Sequence, residues 1–317
     1  MKIKKLKGGS RPYISENDKR LVLHSSNTVY IYDLEDGKLL QSVRTFNNIS
    51  RAAVSHNKQL LAVKNTSGTL AVFRLDSGEK ICQSYMECRE GEQMIFVPDD
   101  NAVLDFDWDG RTMLLDYSNG TYSILDGPAH GKGKQLPRTA YIQYDVYTNQ
   151  IYKLMADNYG DSSGKIMVSS ADPEHIAFKV VYETQGLEIL PNHLQGISFC
   201  KTHNYHMDLK TNQLIVTDKN FTEVSRIDLP TGIGVRNAWK FWVSPGEKYV
   251  FLDFGPQCDA TDFAAMRTAK SLTGLFALDT MEQVAEFDYD NVSGFLMYDD
   301  DRKFIIPTWK GSYAGEL

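Results

Sequence analysis

The sequence predicts an all-β fold, a seven-bladed β-propeller whose last blade is closed by the N-terminal strand. Three observations predict it. Residues 11–37 recur, in the same order, about 40 positions further along the chain. Apolar positions followed by short polar turns recur at intervals typical of one propeller blade. The chain also begins with the strand that its last repeat lacks.

The internal repeat is visible residue by residue. Its first copy places Arg11, Ser15, Asn17, Leu21, Ser26, Thr28, Leu34 and Gly37 where the second copy has Arg51, Ser55, Asn57, Leu61, Ser67, Thr69, Leu75 and Gly78. A period of this length indicates a supersecondary unit that stacks on copies of itself, because one copy is too small to bury its own apolar face.

Each repeat reads as four short strands. The first strand ends on an apolar anchor before a polar turn, and the anchors are Ile14, Val54, Val97, Val146, Phe199, Val243 and Met297. The second strand ends at a tight turn such as Ser67-Gly68 or Asp109-Gly110, which is typical hairpin chemistry. The third strand ends near an aspartate in four repeats, at Asp33, Asp116, Asp218 and Asp279. A further turn leads into the fourth strand.

We expect a single domain over residues 1–317. The predicted blades span approximately 11–46, 50–86, 93–126, 140–183, 195–229, 238–289 and 294–317 plus 1–7. The last repeat stops after its third strand, over residues 312–317. Ile3 and Leu6 lie one repeat length before Val43 and Phe46, which belong to the outer strand of the first blade. The N-terminal segment is therefore predicted to supply the missing outer strand of the last blade and to remove an exposed sheet edge.

This pattern resembles the WD-repeat family and its bacterial YVTN-type relatives. Tyr32-Asp33 stands where the WD dipeptide would, and Leu115-Asp116 and Leu278-Asp279 repeat it. The chain departs from the family because no blade has the Trp-Asp pair and no Gly-His opens a blade. The resemblance implies a scaffold for protein interaction.

Composition excludes several classes of function. With 34 basic and 41 acidic residues, the net charge is −7 and there is no basic face for nucleic acid. Residues 1–7 are basic but lead into Gly8 and Gly9 without an apolar segment, so no secretory signal or membrane association is expected. The four cysteines form no CxxC pair, as is usual for reduced cytosolic thiols. We expect a cytoplasmic monomer.

The extra residues of the longer repeats fall in two connection types, from strand two to three and from strand four to the next strand one. They are residues 126–139, 156–163, 184–195 and 254–273. Because these connections leave a propeller on the same face, we predict that this face binds a partner. The candidate loop residues are His130, Lys132, Asp157, His193, Asp259 and Asp262.

Arginines precede several predicted first strands, near the mouth of the central channel. They are Arg11, Arg51, Arg138 and Arg236, with the aromatic residues Tyr13, Tyr141 and Trp239 nearby. Guanidinium groups and aromatic rings suit a carboxylate, a phosphate or an acidic peptide. The alternative is that each arginine pairs with a neighbouring carboxylate.

The apparent metal motifs conflict with the repeat. Asp105, Asp107, Asp109 and Asp116 match the spacing of a calcium loop, but the repeat places Asp105 and Asp107 on a strand and Asp109-Gly110 in a hairpin turn. His203 and His206 are predicted on a strand, where side chains three apart point to opposite faces. We expect no metal, no cofactor and no catalytic residue.

The sequence therefore favours a non-catalytic binding module. Its ligand is expected to be a protein, a peptide or a small anion on the face that carries the insertions. The alternative is a propeller enzyme, a hydrolase or a lyase, that uses loop residues His130, His193, Asp157, Asp161 and Asp259.

Overall fold

The computed structural model describes residues 2–15, 19–85, 94–106, 111–126, 138–156, 165–185, 197–208, 211–230, 240–256, 271–289, 292, 294–308 and 311–317. These residues form strands and turns in seven four-stranded antiparallel sheets. This is the predicted all-β, seven-bladed propeller class. Within the described residues, no helix is long and apolar enough to cross a membrane.

The sheets divide between two compact units, and the first unit contains four of them. Its first sheet contains β2 (Gly9–Ser15), β3 (Arg20–His24), β4 (Thr28–Asp33) and β5 (Leu39–Arg44). Its second sheet contains β6 (Ile49–Val54), β7 (Leu60–Asn65), β8 (Thr69–Arg74) and β9 (Lys80–Tyr85). Its third sheet contains β10 (Met94–Phe96), β11 (Val103–Phe106), β12 (Thr112–Asp116) and β13 (Thr121–Asp126). Its fourth sheet contains β14 (Arg138–Asp145), β15 (Gln150–Ala156), β16 (Lys165–Asp172) and β17 (His175–Gln185). We call it the four-sheet unit.

The second, three-sheet unit contains the remaining strands. One of its sheets contains β18 (Ile197–Phe199), β19 (Asn204–Asp208), β20 (Gln213–Thr217) and β21 (Glu223–Asp228). The next contains β22 (Lys240–Val243), β23 (Tyr249–Pro256), β24 (Ser271–Ala277) and β25 (Gln283–Phe287). The last sheet contains β26 (Leu296–Tyr298), β27 (Lys303–Thr308), β28 (Gly311–Glu316) and the N-terminal strand β1 (Lys2–Leu6).

The N-terminal strand completes the last sheet, as the sequence predicts. β1 pairs antiparallel with β28, from Lys2 opposite Glu316 to Leu6 opposite Ser312. The Leu6 side chain is buried. Gly8, which follows β1, has φ +85°, and a Cβ atom there would lie 2.9 Å from Leu23 Cβ. Only glycine fits this left-handed, crowded position, so the sequence at Gly8 allows the chain to pass directly from β1 to β2.

The apolar core lies between consecutive sheets. Between the first two sheets of the four-sheet unit, Val22, Val29 and Ile31 pack with Val54 and Val63. A strand whose two faces both pack against other parts of the protein has apolar residues at nearly every position. This explains segments such as LLAVKN in β7. The same packing recurs between the later sheets of each unit.

Phenylalanine fills much of the core in the three-sheet unit. The rings of Phe251 and Phe295 are stacked with centroids 4.3 Å apart, and Phe287 meets Phe304 edge-on at 5.4 Å. Gly315 of β28 is needed beside them, because a Cβ atom there would lie 2.4 Å from Phe304 Cζ. Offset and edge-to-face pairs add to the stabilisation from burial alone.

The aspartates that end the third strands close the following turns. Asp33 Oδ1 accepts a hydrogen bond from the backbone of Glu35 at 2.8 Å, and Asp116 Oδ1 accepts one from Ser118 at 2.9 Å. Asp218 Oδ1 accepts bonds from the backbones of Asn220 and Thr222. The recurrent aspartate of the sequence is therefore an Asx-turn acceptor that shapes the turn before the fourth strand.

Carboxylates also join the turns between strands one and two of consecutive sheets. In the four-sheet unit, Asp100 accepts hydrogen bonds from the backbones of His56 and Asn57, both at 2.7 Å. In the three-sheet unit, Asp301 accepts bonds from the Ser244 hydroxyl at 2.6 Å and from the Gly246 backbone at 3.1 Å. We call these groups, together with Glu247, the turn carboxylates.

Glu247 is the turn carboxylate with the most partners. Its Oε1 accepts bonds from the backbones of Thr202 and His203, and its Oε2 lies 2.7 Å from His203 Nδ1 and 2.9 Å from the Tyr205 hydroxyl. Burial acts to raise the pKa of Glu247, but these hydrogen bonds outweigh it, and the pKa is lowered. The carboxylate is therefore held in its charged form between two turns.

Candidate functional site

Long connections concentrate at one end of the sheets. In each sheet the second and fourth strands finish at the same end, which we call the loop end; the opposite end is the turn end. The connections 127–137, 157–164, 186–196, 231–239 and 257–270 are at loop ends and lie outside the described residues. The predicted insertions 126–139, 156–163, 184–195 and 254–273 fall largely in them. At the turn ends, no connection between the described strands is longer than residues 97–102.

A buried ion pair joins two sheets near the loop end of the four-sheet unit. Lys64 of β7 and Asp105 of β11 are both 0% exposed. The Lys64 Nζ atom lies 2.8 Å from Asp105 Oδ1, 2.7 Å from Oδ2 and 3.5 Å from the Phe106 carbonyl oxygen. Complete burial raises the pKa of the Asp105 carboxyl, and the Lys64 ammonium acts against that shift. Both charges have partners, so the pair forms a fixed link between sheets.

A second buried lysine holds the start of a long connection. Lys153 of β15 donates to Asp126 Oδ2 at 2.5 Å and to Thr112 Oγ1 at 3.1 Å, and its Nζ atom lies 4.8 Å from the centre of the Phe178 ring. The Lys153 side chain is buried, whereas that of Asp126, the last residue of β13, is 49% exposed. The ammonium therefore fixes the point where the chain leaves for residues 127–137.

The three-sheet unit has a similar arrangement at its own loop end. Lys240, the first residue of β22, lies 3.3 Å from Asp253 Oδ2 and donates to the Val292 carbonyl oxygen at 3.2 Å. Burial lowers the pKa of Lys240, and the Asp253 carboxylate opposes the shift. This lysine joins β22 to β23 within one sheet and contacts Val292, which forms an isolated bridge with Thr308 of β27; the connection 257–270 follows β23.

Of the predicted binding residues, Arg51 is the one whose side chain the structure describes. Arg51 lies within β6, opposite Lys64 of β7, and not ahead of the strand as the sequence suggested. It is 4% exposed, and its Nη1 donates to the Ser50 carbonyl oxygen. The arginine is therefore part of the packed loop end.

The other predicted site residues are placed only in part. Arg11 and Tyr13 lie in β2, and Arg138 and Tyr141 lie in β14, with Arg138 opposite Ala156 and Tyr141 opposite Leu154. Their side chains are outside the described part of the structure. So are Arg236, Trp239, His130, Lys132, Asp157, Asp161, His193, Asp259 and Asp262 in their entirety.

Sequence reasoning missed the three buried lysines. Each stands as a single charge in an apolar strand, as in LLAVKN, QIYKLMA and KFWV. A lone lysine in such a run was the available signal, because a buried ammonium needs an anionic partner.

Of the residues weighed as metal ligands, Asp107 and Asp109 lie outside the described residues, and the others are found in strands or turns. β11 and β12 pair from Val103 opposite Leu115 to Phe106 opposite Thr112, so Asp105 lies on a hairpin strand as predicted. His203 lies in the turn before β19, not on the strand, and contacts Glu247, whereas His206 is buried within β19. Among the described residues, no group of three or more His, Cys, Asp or Glu side chains is placed to hold a metal ion.

Comparison with known proteins identifies the fold. No protein-family model matches the sequence, and no curated protein matches it. Among solved structures, the chain is similar to the Cps50 (Swd1) β-propeller domain of Myceliophteria thermophila, with a TM-score of 0.66, 9% identity and 99% of each chain covered. It is similar to Kuenenia stuttgartiensis hydrazine synthase at a TM-score of 0.66 and 11% identity, over 98% of this chain and 96% of that one. The fold is therefore that of a seven-bladed β-propeller.

Proposed function

We propose that the 317 residues act as one propeller domain that binds a protein or peptide partner at its loop ends, in the cytoplasm and without catalysis. One observation supports this proposal most strongly, namely that the long connections of both units leave from loop ends while the turn ends keep short turns. Binding residues are commonly carried by loops on a rigid scaffold.

The packing at the loop ends supports the same proposal. Lys64–Asp105, Lys153–Asp126 and Lys240–Asp253 link strands just below the long connections. The lysine of each pair is buried, and a buried ammonium that is held by a carboxylate favours one arrangement, because movement would leave the charge desolvated and unpaired. The loops would therefore be presented from fixed bases, which lowers the entropy lost on binding.

We propose an acidic partner surface or a small anion as the preferred ligand chemistry. Arg11, Arg51 and Arg138 all lie in the early part of first strands of the four-sheet unit, toward the loop end. Because Arg51 is buried, we expect it to act through its positive potential, with the ligand touching other groups.

Loop replacement tests the binding proposal. Residues 127–137 and residues 257–270 are replaced, separately, by Gly/Ser linkers of equal length, and the matched control replaces the turn-end residues 34–38. Each protein is used as bait in the native host, and captured proteins are compared with those of the wild type. We expect at least one loop variant to lose partners that the control retains. Identical capture by all variants would contradict the proposal.

A thermal-shift screen tests the anion preference. Dicarboxylates, phosphate and acidic peptides are added to the wild type, to an Arg11→Ala, Arg51→Ala double variant and to Arg74→Ala, an exposed turn-end control. A ligand at 100 times its dissociation constant stabilises the fold by about 2.7 kcal/mol. We expect the wild type and Arg74→Ala to respond and the double variant to respond less. Equal responses would leave these arginines as structural residues.

An activity assay separates this proposal from the enzyme alternative. Hydrolase or lyase turnover by the purified protein that is abolished by His130→Ala or His193→Ala would favour the alternative. We expect no such turnover, because the charged groups described at the loop ends form closed ion pairs.

A further inference from the structure

The outer strand β17 differs from the other outer strands in length. It spans His175–Gln185, 11 residues, against the eight residues of its neighbour β16. β17 is the last strand in its sheet, and the described strands of this chain leave its outer edge unpaired. Such an edge offers a row of backbone donors and acceptors to another extended segment.

The middle of this edge is apolar on both faces. Val180 and Val181 are 54% and 42% exposed. Ile176, Phe178 and Tyr182, on the Val180 face, are half-buried, and Ile176 and Phe178 pack against the core. An exposed apolar centre on a long edge strand gains from being covered by a second strand.

The charges on the outward face fit a second copy of the same strand. Lys179 and Glu183 are exposed and stand two positions before and two positions after Val181. When two copies of β17 run antiparallel about a two-fold axis at Val181, Lys179 of each copy lies opposite Glu183 of the other. Val181 then lies opposite itself, and Val180 lies opposite Tyr182. Opposite charges and apolar residues in directly facing positions are the pairs that stabilise antiparallel strands.

The outer strand β1 lacks this self-complementarity. A symmetric antiparallel pair of β1 centred on Lys4 would place Lys4 of one copy opposite Lys4 of the other, and like charges in facing positions are destabilising. The sequence of β17 therefore suits self-pairing, whereas that of β1 disfavours it.

We propose that β17 pairs with β17 of a second copy of this chain, antiparallel and symmetric about Val181, to form a homodimer. This departs from the monomer expected from the sequence, and it is independent of what binds at the loop ends. The contact is one strand pair, so its area is at the low end of specific interfaces and the dimer is expected to dissociate in the micromolar range.

Sedimentation velocity over a concentration series tests the dimer. The wild type is expected to change from monomer to dimer as its concentration rises. Lys179→Glu places a second carboxylate opposite Glu183, and Glu183→Lys places a second ammonium opposite Lys179, so each variant should weaken the dimer about tenfold or more. Arg44→Glu on β5 and Glu286→Lys on β25 make the same charge changes on exposed positions of other outer strands and should leave the dimer unchanged.

Mixing the two variants provides the decisive measurement. When the Lys179→Glu variant pairs with itself, both facing positions hold two carboxylates, and when the Glu183→Lys variant pairs with itself, both hold two ammonium groups. In a pair of one copy of each variant, the substituted side chains face each other with opposite charges, as do the unsubstituted ones. A heterodimer should therefore form where each variant by itself stays monomeric. Native mass spectrometry with one copy carrying a mass tag detects it, and its formation also shows that both variants are folded. A wild type that stays monomeric at every concentration, or a dimer unaffected by either variant, would overturn the proposal.

Discussion

The buried pair of Lys64 and Asp105 predicts an asymmetric response to mutation. Both side chains are 0% exposed, and the ammonium is held by both carboxylate oxygens and by the Phe106 carbonyl. In Asp105→Leu the ammonium keeps only that carbonyl among these partners. Removing one partner of a buried ion pair leaves an uncompensated charge and costs about 3–5 kcal/mol of unfolding free energy. We expect Asp105→Leu to fall in that range.

Lys64→Met should cost less, and its cost should depend on pH. The carboxylate then keeps the Tyr122 hydroxyl, 3.4 Å away, and loses the ammonium that opposes the burial effect on its pKa. A carboxyl whose folded pKa is raised above its unfolded value binds a proton more readily in the folded state. The deficit relative to the wild type should therefore shrink as the pH falls toward the unfolded value of about 4.

The double variant Lys64→Met, Asp105→Leu separates ion pairing from packing. Replacing a whole buried pair by apolar residues is often neutral or stabilising, so we expect the double variant to recover most of the loss. Urea unfolding followed by fluorescence and circular dichroism measures the four proteins, and Lys38→Met, at an exposed turn, should stay within about 0.5 kcal/mol of the wild type. A Lys64→Met loss below about 1 kcal/mol at neutral pH, or a double variant that loses the sum of the two single losses, would refute this reasoning.

Three further measurements address other parts of the fold. Burial lowers the pKa of His206 to about 4, so on acidification the unfolded state binds this proton first, and the free energy of unfolding should fall by about 3 kcal/mol between pH 6.5 and pH 4. In urea unfolding, His206→Gln should reduce this dependence of stability on pH. An NMR titration of His206 with a midpoint near 6.5 would contradict the prediction. Deleting residues 1–8 removes the ladder with β28 and the buried Leu6 and should cost several kcal/mol; a melting temperature within about 2 °C of the intact chain would count against closure by β1. Gly246→Ala places a Cβ atom 2.6 Å from Asp301 Oδ2, so it should destabilise the protein about as much as Asp301→Ala does, roughly 1–3 kcal/mol. Thermal unfolding measures both variants, and an unchanged melting temperature would show that the contact between Asp301 and the Gly246 turn is dispensable.

The sequence was sufficient for the fold because its repeat is periodic in both apolar positions and turns. The anchors Val54 and Val243 end β6 and β22 as predicted, and the match of Ile3 and Leu6 to an outer strand located the closing strand correctly. Asp33 marks the end of β4. These features are local, so they can be read from neighbouring residues alone.

The contacts at the loop ends could not be read in this way. Alternation tells which residues are buried, but whether Lys64 meets a carboxylate depends on which residue of the next sheet lies beside it, 41 positions along the chain. Arg51 was expected just ahead of its strand, near the mouth of the central channel, and its burial follows from its place within β6 opposite Lys64. Non-local packing decides both cases. The loop candidates such as His130 stay predictions.

The turn carboxylates have a consequence for how each unit comes apart. Asp100, Glu247 and Asp301 occupy left-handed backbone positions, with φ of 57°, 61° and 62°, which glycine or asparagine would adopt at lower cost. Glycine there could accept nothing from the preceding sheet. The chain thus accepts local backbone strain in exchange for coupling between neighbouring repeats. In a linear array of repeats, such nearest-neighbour coupling sets how many units unfold together. Sheets joined in this way should lose their structure as a group, with few partly unfolded species for proteases to capture.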